Sequence, residues 1–341
     1  MKAAVFYKKE DLRIEDIPIP KVKNEDDVVI KVRACGICGT DMHIFDGDEG
    51  AAPTPAGTVL GHEFAGEVVE VGAAVKAVKV GDRVCVDPNW LCNTCDFCRE
   101  GIGHFCENMK GIGTTSNGGF AEYCVVPQSQ VYAFDESISF AQAAMTEPVA
   151  CCLHGIDMCD IIPGATVAVI GGGMIGLLMM QLAKLKGAAK LILIEPIVAK
   201  REIAKTLGAD ITIDPITEDV STVLQENGIT RISTVIECVG KTATMKQAVA
   251  IAGKKSTVML FGLTRPGDEM EIKPFELFKK EITLKASFIN PYTQKRALAL
   301  INSEKIDVAS MIYKCIPVTE LPATLADKKL RSAGKYIVTF D

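Results

Sequence analysis

Residues 166–187 read TVAVIGGGMIGLLMMQLAKLKG, a short apolar run, a glycine-rich turn and an apolar helical pattern that Gly187 is placed to end. Gly171, Gly173 and Gly176 fill the spacing G-x-G-x-x-G. The first glycine suits a tight turn, the second lets backbone approach a pyrophosphate, and the third allows close strand–helix packing at a helix N-terminus that favours anions. Glycine turns of this form also arise by chance, so the flanking strand and helix carry the reading. The same alternation continues outward through LILIE (191–195), VAKREIAKTLGA (198–209), TVIECVG (234–240), MKQAVAIAG (245–253) and TVMLFGL (257–263). Strands without internal polarity, separated by helices, predict a parallel sheet covered on both faces, hence an α/β doubly wound domain.

The second strand of that series ends in Glu195, 19 residues past Gly176. A carboxylate there accepts hydrogen bonds from both ribose hydroxyls and repels a 2′-phosphate, which favours NAD over NADP. Ile175, inside the turn-to-helix step, joins the cofactor-binding set. Lys200 and Arg201 are placed to flank the adenosine ribose. As cations they equally suit a solvated helix face or a 2′-phosphate, and so weaken the preference for NAD.

The first 150 or so residues differ, with short strands such as GEVVEVG (66–72), DRVCVDP (82–88) and AEYCVVP (121–127) bounded by turn formers. After residue 286 the βα rhythm breaks again, and the chain closes on a strand, KYIVTF (335–340). The expected organisation is a mostly-β domain over 1–148, a dinucleotide domain over 149–286, and a return of 287–341 to the first domain. A chain of 341 residues, 48% hydrophobic and 23% charged, suits such a two-domain soluble protein. A net charge of −6 argues against nucleic acid or an anionic membrane as partner. The first residues lack the apolar core of a signal peptide, and no apolar run reaches the roughly 18 residues of a membrane span. The chain is therefore expected in the cytoplasm, where stable disulfides are rare.

That expectation bears on CNTCDFCREGIGHFC (92–106), which spaces Cys92, Cys95, Cys98 and Cys106 among polar neighbours. Four thiolates satisfy tetrahedral Zn²⁺ completely, so the segment, about 88–110, reads as a structural zinc lobe. A second constellation spans Cys38, Thr40 and His43 in ACGICGTDMHIFDG, His62 and Glu63 in VLGHEFAGEV, and Glu147 in MTEPVACCLHG. Thiolate, imidazole and carboxylate ligands with one position left open describe a catalytic zinc. The other cysteines, 35, 85, 124, 151, 152, 159, 238 and 315, read as core residues.

From GICGTDMH through GHE, the four-cysteine lobe, GGFAEY and TEP to GGGMIG, the chain resembles the zinc-dependent medium-chain alcohol dehydrogenases, in their polyol branch of sorbitol- and galactitol-phosphate-like enzymes. The resemblance implies a GroES-like β-barrel catalytic domain, a Rossmann domain, and an active site between the two. It implies one catalytic and one structural Zn²⁺ per chain, with Cys38 and His62 on the catalytic ion and Glu147 supplying the third ligand. Glu63 takes that place in some relatives or stands behind the ligands. Thr40 and His43 would relay the proton outward, while hydride passes between a secondary alcohol and C4 of the nicotinamide. A small-molecule alcohol or ketone as partner and a homodimer or homotetramer follow from the same likeness.

Substrate identity stays open among a sugar alcohol, its phosphate and a vicinal diol such as butanediol. Typical L-threonine 3-dehydrogenases carry an aspartate and no TEP in the Glu147 segment. The arginine that sorbitol dehydrogenases place after the ASF-like strand is not evident in KASFINPYTQKR (285–296). There Asn290 and Tyr292 would serve either a polyol or an Asn-Pro turn. Two readings from other classes are a zinc-free quinone or enoyl reductase and a non-catalytic NAD-binding redox sensor.

Overall fold

The computed structural model describes residues 1–48 and 53–340, which form two compact units, Met1–Ala150 with Asn290–Asp341 and Cys151–Ile289. Among the described residues no helix is long and apolar enough to cross a membrane.

The second unit holds six strands, β1 (Thr166–Ile170), β2 (Lys190–Ile194), β3 (Ile211–Ile213), β4 (Thr234–Glu237), β5 (Thr257–Leu260) and β6 (Thr283–Ala286). All pairings are parallel and the order is β3-β2-β1-β4-β5-β6. That order is the Rossmann one, with its switch point beside β1. Ala168, Ile170, Ile192, Ile194, Val235 and Val258 fill one core of this sheet. The helix Met174–Leu185 buries every residue from Gly176 to Ala183. Apolar residues reach round most of the helix, with Gln181 a buried polar exception, and each buried leucine contributes about 2 kcal/mol. Gly187 follows with φ +101°, the left-handed conformation that ends a helix without a Cβ penalty.

In the first unit the strand Asp27–Gly36 is the organising element. It pairs antiparallel with Glu63–Val71, with Tyr123–Pro127 and with the terminal strand Lys335–Thr339. The sheet extends through Arg83–Val86 and Val131–Ala133 on one side and Ile312–Pro317 on the other. Its core includes Val28, Ile30, Val32, Phe64, Val84, Phe120 and Val338. The terminal strand thus shares a sheet with strands of the first unit. Of the cysteines read as core, 35, 85, 124, 152 and 159 are buried, 151 and 238 half-buried, and Cys315 is exposed, a departure from that reading.

Asp87, just after Arg83–Val86, is a buried carboxylate with amide neighbours. Its Oδ1 accepts from the N–H of Asn89 (3.0 Å), the Asn89 amide (3.2 Å) and the Asn290 amide (3.4 Å). Asn290 also accepts from Asn89 Nδ2 at 2.5 Å and donates to Gln294 (3.3 Å), so it belongs to this interior network. Burial pushes the Asp87 carboxyl up to about 6 against those donors. A folded pKa above the unfolded one means the native state binds the proton more tightly. The stability this adds is complete below about pH 4 and lost as pH rises through about 6. Asp87→Asn keeps an acceptor at Oδ1 and removes the charge. Thermal unfolding of the two proteins should therefore show the variant about 2 kcal/mol more stable at pH 7.5, with the gap closing toward pH 4.5. A gap independent of pH would contradict this account.

Candidate active site

The first cluster lies where three strand ends meet. Gly36, at the end of Asp27–Gly36, pairs with Glu63 on one side and Ile337 on the other. Cys38 follows two residues after that strand, His62 directly precedes Glu63–Val71, and Lys335 opens the terminal strand. One ligand atom each from Cys38, His62 and Glu63 all lie within 4.8 Å of one another. Gly36 is required beneath them, since a Cβ there would run into the Glu63 carboxylate and the Lys335 side chain. Glu147, buried in the first turn of the helix Thr146–Asp157, stands outside this set of three.

Two residues that the sequence reading passed over complete the cluster. Asp41 is fully buried; its Oδ2 accepts from the N–H of Cys38 at 2.8 Å and its Oδ1 lies 3.5 Å from His62 Nδ1. It therefore fixes the turn at Cys38 and stands beside the imidazole, where an outer carboxylate would orient a metal-binding histidine. Lys335, also buried, forms an ion pair with Glu63 and donates to the carbonyl of Ile37 at 2.8 Å. Asp41 carried a faint signal, an acid three residues after Cys38 at a helix start. Lys335 carried none, being a lone lysine in front of an apolar strand.

The electrostatics suit a cation. Burial pushes the His62 imidazole down, but the Asp41 carboxylate and the Cys38 thiol outweigh it and hold the ring well above its ordinary value. For Lys335, burial is likewise outweighed by Glu63, then Cys38. Groups that retain protons this firmly mark a region of negative potential. Glu63 Oε1 is buried with no hydrogen-bond partner, an acceptor left for a ligand. A thiol, an imidazole and a carboxylate in such a field fit Zn²⁺. Thr40 Oγ1 is 3.8 Å from Cys38 Sγ, and His43 stands half-exposed with Nδ1 3.2 Å from Asp48 Oδ2.

The second cluster is the four-cysteine lobe, whose sulfurs also all lie within 4.8 Å of one another. Cys92 Sγ accepts from the N–H groups of Thr94 (3.5 Å) and Cys95 (3.4 Å), and Cys106 Sγ from the N–H of Cys92 (3.4 Å). The Thr94 hydroxyl, then these N–H groups, draw the Cys92 thiol down to about 5. Desolvation and the neighbouring thiols push Cys98 the other way, to about 12. Four thiols this close cannot all ionise without a cation, which fits a closed zinc site.

In the second unit the motif glycines have distinct tasks. Gly171 turns with φ +100°, and a Cβ on Gly176 would strike the carbonyl of Gly171. A Cβ on Gly173 would meet nothing within 4 Å, so backbone there is open to a ligand's approach. Gly173 caps the helix in which Ile175 is the second residue. Glu195 is buried, its Oε2 accepting from Gly172 N (2.6 Å) and its Oε1 from Ile197 N (2.9 Å). Each oxygen keeps capacity for a ribose hydroxyl. Lys200 is half-buried, while Arg201 turns back onto the carbonyl of Glu195 (2.7 Å). The donors and the open turn fit a dinucleotide.

Comparison with known proteins agrees with this chemistry. Residues 24–136 match the alcohol dehydrogenase GroES-like domain and 174–303 the zinc-binding dehydrogenase domain. The chain is 32% identical to D-arabinitol dehydrogenase 1 of Uromyces fabae, over 99% of this chain and 97% of that one. It is 36% identical to an L-threonine 3-dehydrogenase of Caldanaerobacter subterraneus, over 92% and 91%. A zinc-binding dehydrogenase of Sinorhizobium meliloti 1021, solved with NADP bound, superposes with a TM-score of 0.95 at 37% identity, covering 99% of both chains. Two domain matches in the expected order, and relatives that align end to end, place the chain in the zinc-dependent medium-chain alcohol dehydrogenase family, as an oxidoreductase that moves hydride between an alcohol and a nicotinamide cofactor.

Proposed function

We propose that this enzyme oxidises a secondary hydroxyl of a polyol or vicinal diol to the ketone, with NAD as hydride acceptor. The observation that carries the reading is the thiol–imidazole–carboxylate set, half-buried at Cys38 and buried at His62 and Glu63, in its negative field. Cys38 and His62 would hold zinc. The sequence favoured Glu147 as third ligand; the geometry supports Glu63, which belongs to the set and keeps Oε1 without a hydrogen-bond partner while Lys335 balances its charge. When bound, the metal supplies Lewis acidity that makes an alcohol a far stronger acid near neutral pH. The protein's part is to hold the ligands, keep His62 oriented through Asp41, and carry the proton away.

For that last task we assign Thr40 as the first hydroxyl and His43 as the outlet. A threonine at the second helical position beside Cys38 stands next to the proposed metal ligand, and a half-exposed imidazole suits proton exchange with solvent. Thr40→Ala should lower kcat roughly 100-fold while zinc content and cofactor binding survive, and Thr40→Ser should restore most of the loss. Near-normal turnover in the alanine variant would remove Thr40 from the mechanism.

We assign NAD because Glu195 presents a buried carboxylate where a 2′-phosphate would have to sit, although the Sinorhizobium relative binds NADP. The threonine dehydrogenase likeness at 36% identity supports a second reading, L-threonine oxidation at the same site. A panel of polyols, polyol phosphates, 2,3-butanediol and L-threonine, each with NAD and NADP and followed by absorbance of the reduced cofactor, separates the two. Polyol or diol turnover with NAD is the expected result. Turnover with threonine alone would replace the polyol assignment, and a preference for NADP would overturn the role given to Glu195.

A further inference from the structure

Strands β2 and β3 end side by side, with Ile194 paired to Ile213 and the N–H of Glu195 donating to the carbonyl of Ile213 at 3.0 Å. Two carboxylates, Glu195 and Asp214, therefore leave neighbouring strand ends. Arg201, from the helix Val198–Thr206, joins them. Its Nη1 donates to the carbonyl of Glu195 at 2.7 Å and lies 3.3 Å from Asp214 Oδ2. The two side chains are only 14% and 16% exposed, so this ion pair is well shielded from water. Asp214 is itself anchored, with Oδ1 accepting from Ile216 N at 3.0 Å and its own N–H donating to Glu218 at 2.7 Å. The Ile216 N–H, and behind it Arg201, hold the Asp214 carboxyl below its usual range, so it is an anion at neutral pH.

We propose that Asp214 is a positioning residue for cofactor choice: it keeps Arg201 folded and charge-balanced at the strand ends, so that no free guanidinium meets a 2′-phosphate. The inference rests on the reading of Glu195 as the ribose acceptor. A guanidinium is the side chain that best matches phosphate, and one lies against the backbone of Glu195 itself. Rejection of the phosphate thus needs more than the Glu195 carboxylate. With Asp214 in place, one cation faces two anions; with Asp214 neutralised, one cation faces one anion and Arg201 is released to turn toward the ribose. Asp214→Asn keeps an oxygen for the Ile216 N–H, so the loop after β3 retains its anchor.

The test is equilibrium binding of NADH and NADPH to the zinc-loaded enzyme without substrate, read by cofactor fluorescence, with melting curves to confirm folding. In Asp214→Asn the ratio of Kd for NADPH to Kd for NADH should fall about tenfold, the effect of one unit charge at a partly screened site. Asp214→Glu should hold that ratio within about twofold of the parent, and adding Arg201→Gln to the asparagine variant should cancel the fall. An unchanged ratio in Asp214→Asn, or a fall that persists without Arg201, overturns the proposal. Glu195→Gln separates the two layers. If it shifts the ratio while Asp214→Asn does not, only the role of Asp214 is lost; if neither shifts it, the ribose reading falls as well. Should the asparagine variant not fold, Asp214→Ser takes its place under the same two criteria, its hydroxyl still able to accept from the Ile216 N–H.

Discussion

His62→Ala is expected to lower turnover by at least roughly a thousandfold and to leave one zinc per chain where two are expected in the parent. The loss follows from charge. The metal's stabilisation of charge developing on the substrate oxygen is worth several kcal/mol, and each 1.4 kcal/mol or so is a factor of ten in rate. Without the imidazole, Cys38 and Glu63 remain, and Lys335 already competes for the carboxylate through its ion pair. Asp41 then faces a buried space with no ring to orient, so the remaining ligands do not compensate. Zinc analysis by mass spectrometry beside the kinetics checks both halves. Retention of both ions would show that His62 is a buried histidine and no ligand.

Cys98→Ser is expected to act on a different part of the molecule, with a large loss of local order and a smaller one in catalysis. Between residues 91 and 110 only Gly103 and Cys106 are buried, while Phe97, Ile102 and Phe105 lie exposed. A segment without a core of its own owes its shape to whatever crosslinks the four sulfurs. Structural zinc in small domains contributes about 10 kcal/mol or more of folding free energy, and a three-thiolate remnant keeps only part of it. Amide hydrogen exchange across 91–109 should therefore accelerate by roughly 100-fold or more, with the sheet around Asp27–Gly36 protected as before. Exchange unchanged in the lobe would mean that packing, such as Leu91 and Tyr292 against Gly103, holds it without metal.

The dinucleotide unit was legible because each of its signals is local. Strand, glycine turn and helix follow one another within 22 residues, and Glu195 ends the next strand. The four-cysteine lobe was legible for the same reason. The cluster at Cys38, His62 and Glu63 was half legible: GICGTDMH and GHE announce candidate donors, but not which acid approaches them. That choice depends on Gly36 pairing with Glu63 in the antiparallel register, a contact across 27 residues of chain that periodicity does not encode. Lys335 lies 272 residues from Glu63, and no pattern in one sequence connects them. Asn290, open to a polyol role on sequence, is interior and bonded to Asp87 and Asn89, partners too far away in the chain to leave a local pattern. Asp214 was invisible, since nothing in ITIDPITED marks that aspartate as the partner of Arg201.

Anomalous diffraction across the zinc edge, on crystals of the enzyme as purified, tests most directly whether a Lewis-acidic ion occupies the first unit. Two peaks per chain are expected, one within bonding distance of Cys38 Sγ and the His62 ring and one among Cys92, Cys95, Cys98 and Cys106. A single peak in the four-cysteine lobe, with none at Cys38 and His62, would contradict the account and favour a zinc-free reductase.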